Sequence, residues 1–329
     1  MGGGRSHPEI GENMPCRERS EHDERPELSE SASCWLAWIG AMEDQKPSRT
    51  AMVVALIRAD HARKSPSPLL NDHWAEKLVP PEFVAELPRL TSDDTAVEAW
   101  LARSGLRANV ILRARYCEDQ LHEAVRDGVD QYVIVGAGFD SFAWRRPSWA
   151  QTLRIFEIDH PATQSVKIGQ LRAAGADLAE ACLVAADLRE APIDQVLAAS
   201  DYDPKRRTFF AWLGVTRYLT REANASALAA MGRASARRSY LLLSYAPPLL
   251  EPVAEGGEYE DRSATTLSSW GEPWVSSFTP AEMAAMAGEA GFVVREDLSH
   301  RDLIARYRTE GAEALGCARN GRLMLAERL

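Results

Sequence analysis

The chain has 329 residues, 45% hydrophobic and 26% charged, and a formal net charge of −10 at pH 7. That length suits one large α/β domain with insertions or two small domains. The acidic balance excludes a general electrostatic grip on nucleic acid, which needs clustered Lys and Arg.

In chain order, residues 1–33 hold too few apolar side chains to offset the entropy of ordering and are expected to form a flexible tail. The stretch "CWLAWIGAMEDQKPSRTAMVVALIRADHA" predicts two helices divided at Pro47. The second begins near Ser48, with Met52, Ala55, Leu56 and Ala59 on one face. "KSPSPLLNDHWAEKLVPPEF" is loop-rich, with a short helix from Asp72 to Leu78. From Ala108 to Val125 apolar residues recur at helical spacing (Ile111, Leu112, Leu121, Val125), and Gly128 supplies a stop. Residues 34–130 are therefore expected to form a helical cap ahead of a sheet domain spanning 131–329.

The sheet begins in "QYVIVGAGFDSFAWRR", where a short β-branched run enters the glycine pair Gly136 and Gly138. Further strands are predicted at 153–159, 181–187, 207–214, 239–246, 291–298 and 322–329, most of them separated by helical segments. Seven strands in this alternation predict a doubly wound α/β sheet, its last two strands forming an antiparallel edge. An irregular stretch at about 247–278 reads as a functional insertion after the fifth strand.

Five cysteines (Cys16, Cys34, Cys117, Cys182, Cys317) lie far apart with neither a Cys-x-x-Cys pair nor a zinc spacing. They read as reduced thiols, and no metal is expected. No signal peptide is visible and no apolar run nears the roughly 20 residues of a membrane span. A cytoplasmic protein without membrane contact is the expectation.

Three features bear on the nucleotide that the glycine loop would serve. A dinucleotide fingerprint wants a third glycine where this chain has Ser141, which weakens the NAD reading. The second strand ends in "FEID", which puts Asp159 21 residues past Gly138, where an acid can accept both ribose hydroxyls. The third ends in "AADLRE", which puts Asp187 where it could accept from an adenine amine. Either acid could instead cap the helix that follows it. Acids on two strand tips beside a glycine loop describe an adenosine pocket without a pyrophosphate, and S-adenosylmethionine fits it.

"QYVIVGAGFDSFAWRR", "RIFEIDHPATQSVKIGQL", "VAADLRE" and "WLGVTRYLT", in that order, resemble the motifs of the leucine carboxyl methyltransferase family. The upstream "SRTAMVVALIRADHARKSPSPLLNDHWAEKLV" is similar to the family's N-terminal cap. The resemblance implies a class I methyltransferase sheet with S-adenosylmethionine on its carboxyl edge. It places Gly136 and Gly138 beside the methionine part, Asp159 on the ribose, and Asp187 with Leu188 at the adenine. Arg113 would pair with the methionine carboxylate, with Arg115 competing for that register, and Arg49 would assist. One position departs from the pattern. Leu213 stands where family members carry an acid that approaches the methionine end.

A carboxylate acceptor needs no base, whereas a hydroxyl benefits from one. The residues expected near the transferred methyl are Arg217 and Tyr218 past the fourth strand and His300 past the sixth, with Tyr245 past the fifth as a further candidate. Trp35, Trp38, Tyr259, Trp270 and Trp274 could line an apolar pocket for a small, polyketide-like acceptor. The expected function is O-methylation of a carboxyl or hydroxyl group. A protein C-terminal substrate, a noncatalytic partner subunit, and cofactor-assisted elimination or cyclisation remain open, as does a homodimer.

Overall fold

The computed structural model describes residues 46–90, 106–248, 268, 270–315 and 321–329. The predicted tail, the first cap helix with Trp35 and Trp38, and most of the insertion, Tyr259 included, lie outside the described residues.

The cap begins with α1, Arg49–Lys64, right after Pro47 as the sequence predicts, because Ser48 Oγ accepts from the Ala51 amide at 3.0 Å and caps it. Next come α2, Ala75–Leu78, and α3, Pro81–Leu90. The loop-rich stretch expected over residues 64–83 runs into the first turn of α3. Pro81 instead sits at the first helical position, where its missing N–H costs nothing, so it starts a helix. Helix α4, Leu106–Arg126, stops where Gly128 takes φ +96° and the Val129 amide returns to the Ala124 carbonyl at 2.9 Å.

The sheet strands are β1 (Gln131–Val135), β2 (Arg154–Asp159), β3 (Cys182–Ala185), β4 (Thr208–Trp212), β5 (Tyr240–Tyr245), β6 (Phe292–Ser299) and β7 (Arg322–Arg328). Helices α5 (Pro161–Ala173), α6 (Ile193–Ala198), α7 (Arg221–Ala234), α8 (Pro280–Glu289) and α9 (His300–Arg306) connect them. The strand order is β3-β2-β1-β4-β5-β7-β6, with β1 to β5 parallel and β7 antiparallel to both of its neighbours. The final two strands pair as expected, but β7 inserts between β5 and β6, so the edge is β6. The residues explain this: Leu323 and Leu325 of β7 are buried on one face and Met324 and Ala326 on the other, which requires an interior strand, whereas Val293 of β6 is exposed.

Side-chain alternation divides the molecule into layers. Tyr132 and Ile134 of β1, Phe209 and Ala211 of β4, and Leu242 of β5 join the core formed with α1 to α4. Val133, Val135, Phe210, Trp212, Leu241 and Leu243 face α6, α7 and α8. The helical cap therefore shares its core with one face of the sheet.

Between β1 and β2 the chain makes only 3-10 turns, Phe142–Arg145 and Ser148–Ala150. The helix whose N-terminus would hold a pyrophosphate is absent from this crossover, in line with the missing third glycine. Ser141 is buried instead in a polar network: its hydroxyl donates to Asp72 Oδ1 at 2.6 Å and accepts from Arg145 Nε at 3.0 Å.

Candidate active site

Strand order reverses between β1 and β4, and the loops leaving their carboxyl ends flank a cavity of about 270 Å³. Gly136 and Gly138 adopt φ +69° and +53°, a region that glycine occupies without steric cost. Both are also tightly covered: an added Cβ would lie 2.5 Å from Val215 Cγ2 at Gly136 and 2.9 Å from Ala51 Cβ at Gly138. The loop is thus wedged between the β4 exit and α1.

Asp159 accepts from the Gly138 amide through Oδ2 and from the His160 amide at 2.7 Å through Oδ1. Burial raises its pKa, and those two amides oppose the rise. It is not a helix cap, because His160 caps α5. Asp187 also lines the cavity, but Arg189 holds both of its carboxylate oxygens, and Oδ1 accepts from the Arg189 amide at 2.9 Å. Leu188 lines the same wall.

Arg113 of α4 reaches the cavity, whereas Arg115 turns away to Asp119, Glu310 and the Leu69 carbonyl. The Arg113 guanidinium lies against Gly214, and its one hydrogen bond among the described residues is 3.5 Å to Asn109 Oδ1. Burial lowers its pKa to about 10, with the nearby Tyr218 opposing that shift, so it stays charged at neutral pH. A half-buried guanidinium in the cavity wall, with no carboxylate partner among the described residues, invites an anionic ligand. Arg49 does not line the cavity: it opens α1, and its amide donates to Glu272 Oε1 at 2.8 Å.

Of the residues expected near the methyl, Arg217 and Tyr218 line the cavity. The Arg217 guanidinium stacks on Trp274, 3.6 Å from the ring centre. Burial raises the Tyr218 pKa, so its hydroxyl is held protonated. His300 does not line the cavity. It is 3% exposed at the start of α9 and faces a smaller adjoining space of about 30 Å³, which Tyr245 also lines and which shares Asn109, Arg113, Gly214 and Arg217 with the main cavity. Burial lowers its pKa to about 4, its Nδ1 has no partner among the described residues, and Tyr245 is tied to Asp297 at 2.6 Å. Sequence placed His300 correctly after β6, but packing against Gly321 turns the ring away from the main cavity.

Trp270 and Trp274 line the cavity as expected, together with Val53, Val54, Ile57 and Val110 of the cap. Glu272, between the tryptophans, had not been singled out. Its carboxylate accepts from Ser48 Oγ at 3.1 Å and the Arg49 and Thr50 amides at 2.8 and 3.4 Å, joining the insertion to the cap. A lone acid in a long irregular stretch carried no signal beyond its place in "WGEPW".

Among the described residues no His, Cys, Asp or Glu cluster could hold a metal, and no helix is long and apolar enough to cross a membrane. The glycine cradle, the acids at two strand tips and the half-buried guanidinium fit S-adenosylmethionine.

The model of the leucine carboxyl methyltransferase family matches residues 51–232. The "Putative S-adenosyl-L-methionine-dependent methyltransferase YktD" of Bacillus subtilis (strain 168) is 30% identical over 285 residues, covering 80% of this chain and 91% of its own. A relative of the same description in Saccharopolyspora erythraea is 31% identical over 291 residues, covering 85% and 94%. Among solved structures, a "putative methyltransferase" from Thermobifida fusca YX shares the fold with TM-score 0.53 at 16% identity, covering 87% of this chain and 96% of its own. With most of its length matched by such relatives, and with the strand order and cavity that an adenosine-bearing cofactor requires, this chain belongs to the leucine carboxyl methyltransferase family and is an S-adenosylmethionine-dependent methyltransferase.

Proposed function

We propose that the protein methylates an oxygen, carboxyl or hydroxyl, of a small apolar acceptor of secondary-metabolite type. The observation that carries this reading is a single cavity with two halves. One is polar and built from the strand tips, and the other is apolar and aromatic, built from α1, α4 and the Trp270–Trp274 segment.

When bound, the cofactor supplies a sulfonium methyl for an in-line displacement, so the protein's task is positioning and exclusion of water. In this reading Asp159 takes the ribose hydroxyls, while Leu188 and the edge of Asp187 meet the adenine. Gly136 and Gly138 let the backbone approach the methionine portion, and Arg113 takes its carboxylate. Arg217, held flat by Trp274, orients an anionic acceptor oxygen. Tyr218, kept protonated by burial, donates a hydrogen bond and is unsuited to remove a proton. An acceptor that is already ionised needs no base, which is consistent with the absence of a histidine among the described residues at that end except His160 beside Asp187.

Incubation with methyl-labelled cofactor and a panel of small aromatic and aliphatic carboxylic acids and phenols, read by mass spectrometry, tests the proposal. Label on a small molecule is expected. Label appearing only on protein C-termini, or product formed without label, would overturn it in favour of a protein substrate or of a cofactor-assisted rearrangement.

A further inference from the structure

The glycine loop after β1 is flanked by two charged groups that come from different parts of the chain. On the β4 side the Arg113 guanidinium rests on Gly214, where an added Cβ would meet its nitrogens at 2.9 Å. On the cap side Glu272, 6% exposed, reaches the start of α1, which in turn presses Ala51 against Gly138. Tyr218 lies within electrostatic reach of both Arg113 and Glu272. Leu213 lines the same cavity and offers no acceptor.

Capping alone does not account for Glu272. Helix α1 already has its cap, since Ser48 Oγ accepts from the Ala51 amide. The carboxylate is a second acceptor at a helix end already capped by Ser48, placed in the cavity wall. The Ser48 hydroxyl and the Arg49 and Thr50 amides donate to it, and the Thr50 hydroxyl lies near both it and Tyr218, so a ligand donor would share the carboxylate with that hydroxyl. Burial raises its pKa, while the Thr50 hydroxyl, the amides at the positive end of α1 and the Ser48 hydroxyl oppose the rise.

The methionine end of the cofactor is a zwitterion, and burying either of its charges without a partner is costly. We infer that Glu272 accepts from the cofactor's α-ammonium while Arg113 holds its carboxylate, so that an acid from the segment after β5 fills the role left open by Leu213 at the end of β4. The inference rests on the cofactor orientation proposed above.

Calorimetric titration compares S-adenosylhomocysteine with its analogue lacking the α-amino group. Glu272→Gln keeps a carbonyl oxygen for the α1 amides, removes the charge and replaces the oxygen facing Ser48 Oγ with an NH2 donor. It should weaken S-adenosylhomocysteine about tenfold or more while changing the desamino analogue less than about twofold. Adding Leu213→Glu to that variant should restore much of the loss. Equal weakening of both ligands would mean that Glu272 acts through α1 alone and would overturn the inference.

Should Glu272→Gln fail to fold, two measurements on otherwise native protein decide. Wild type should prefer the amino-bearing ligand by about tenfold, and Leu213→Glu alone should gain less than about twofold, because the ammonium already has its acid. No preference, or a tenfold gain from Leu213→Glu, would overturn it. These readouts are all of binding, so their failure is distinct from a failure to transfer methyl to a small acceptor.

Discussion

At the residue scale, Asp159 shows how one side chain can do two jobs. Its carboxylate fixes the Gly138 and His160 amides and still borders the cavity, so Asp159→Ala loosens the glycine loop and, with the cofactor placed as proposed, also removes a ligand contact. S-adenosylhomocysteine binding should weaken by about 1–3 kcal/mol in a calorimetric titration, the usual loss for a charge-assisted hydrogen bond. His300 gives a pH prediction. Its imidazole titrates near the ordinary 6.5 in the unfolded chain and stays neutral down to about 4 in the folded one. Between those values the unfolded state binds the additional proton, so stability present above pH 6.5 is lost as the pH falls toward 4. His61, lowered to about 4 by burial and by Arg107, contributes in the same direction. His300→Gln should therefore remove part of that slope, on the order of 1–3 kcal/mol of pH-dependent stability, in chemical denaturation at pH 7 and pH 4.5.

At the element scale, α7 packs so closely on the turn after α8 that Gly232 has no room for a methyl group: an added Cβ would lie 2.2 Å from the Ala290 carbonyl oxygen. Alanine gains up to about 1 kcal/mol of helix propensity over glycine. The clash is with backbone, which cannot rotate aside, and overpacking of this kind costs about 1–3 kcal/mol. The clash wins, and Gly232→Ala should lower the melting temperature. A rise would mean that α7 and α8 can slide apart. The same scale explains the edge strand. Sequence periodicity identified β6 and β7 as strands but not their order in the sheet, because neighbour choice depends on which strand is apolar on both faces once α8 and α9 have packed.

At the scale of the whole molecule, the cap, the sheet loops and the Glu272 segment close around one cavity. A ligand filling it binds all three and none of them in the unfolded chain. S-adenosylhomocysteine at about 100 times its dissociation constant should stabilise the protein by about 2.7 kcal/mol, visible as a higher melting temperature that depends on ligand concentration. Asp159→Ala should shrink that shift at equal ligand concentration. An unchanged melting temperature at saturating ligand would show that the cavity is not where the cofactor binds.

The order of strands and helices, the glycine loop and the acids at two strand tips were legible in the sequence because each depends on local periodicity or on spacing within one βα unit. Even Ser141 was informative, since the absence of a third glycine matched a crossover without a helix. What only the tertiary structure decided were relations between distant segments. Arg113 faces the cavity and Arg115 does not, because α4 is rotated by its packing on α1 and β1. His300 packs against Gly321 and lines a smaller space next to the main cavity, Arg49 lies outside the cavity wall, and Glu272 meets Ser48 across 224 positions of sequence. A side chain's residue type and spacing state what it can do, but burial and approach are properties of the packed chain, and they determined which of these residues share the site.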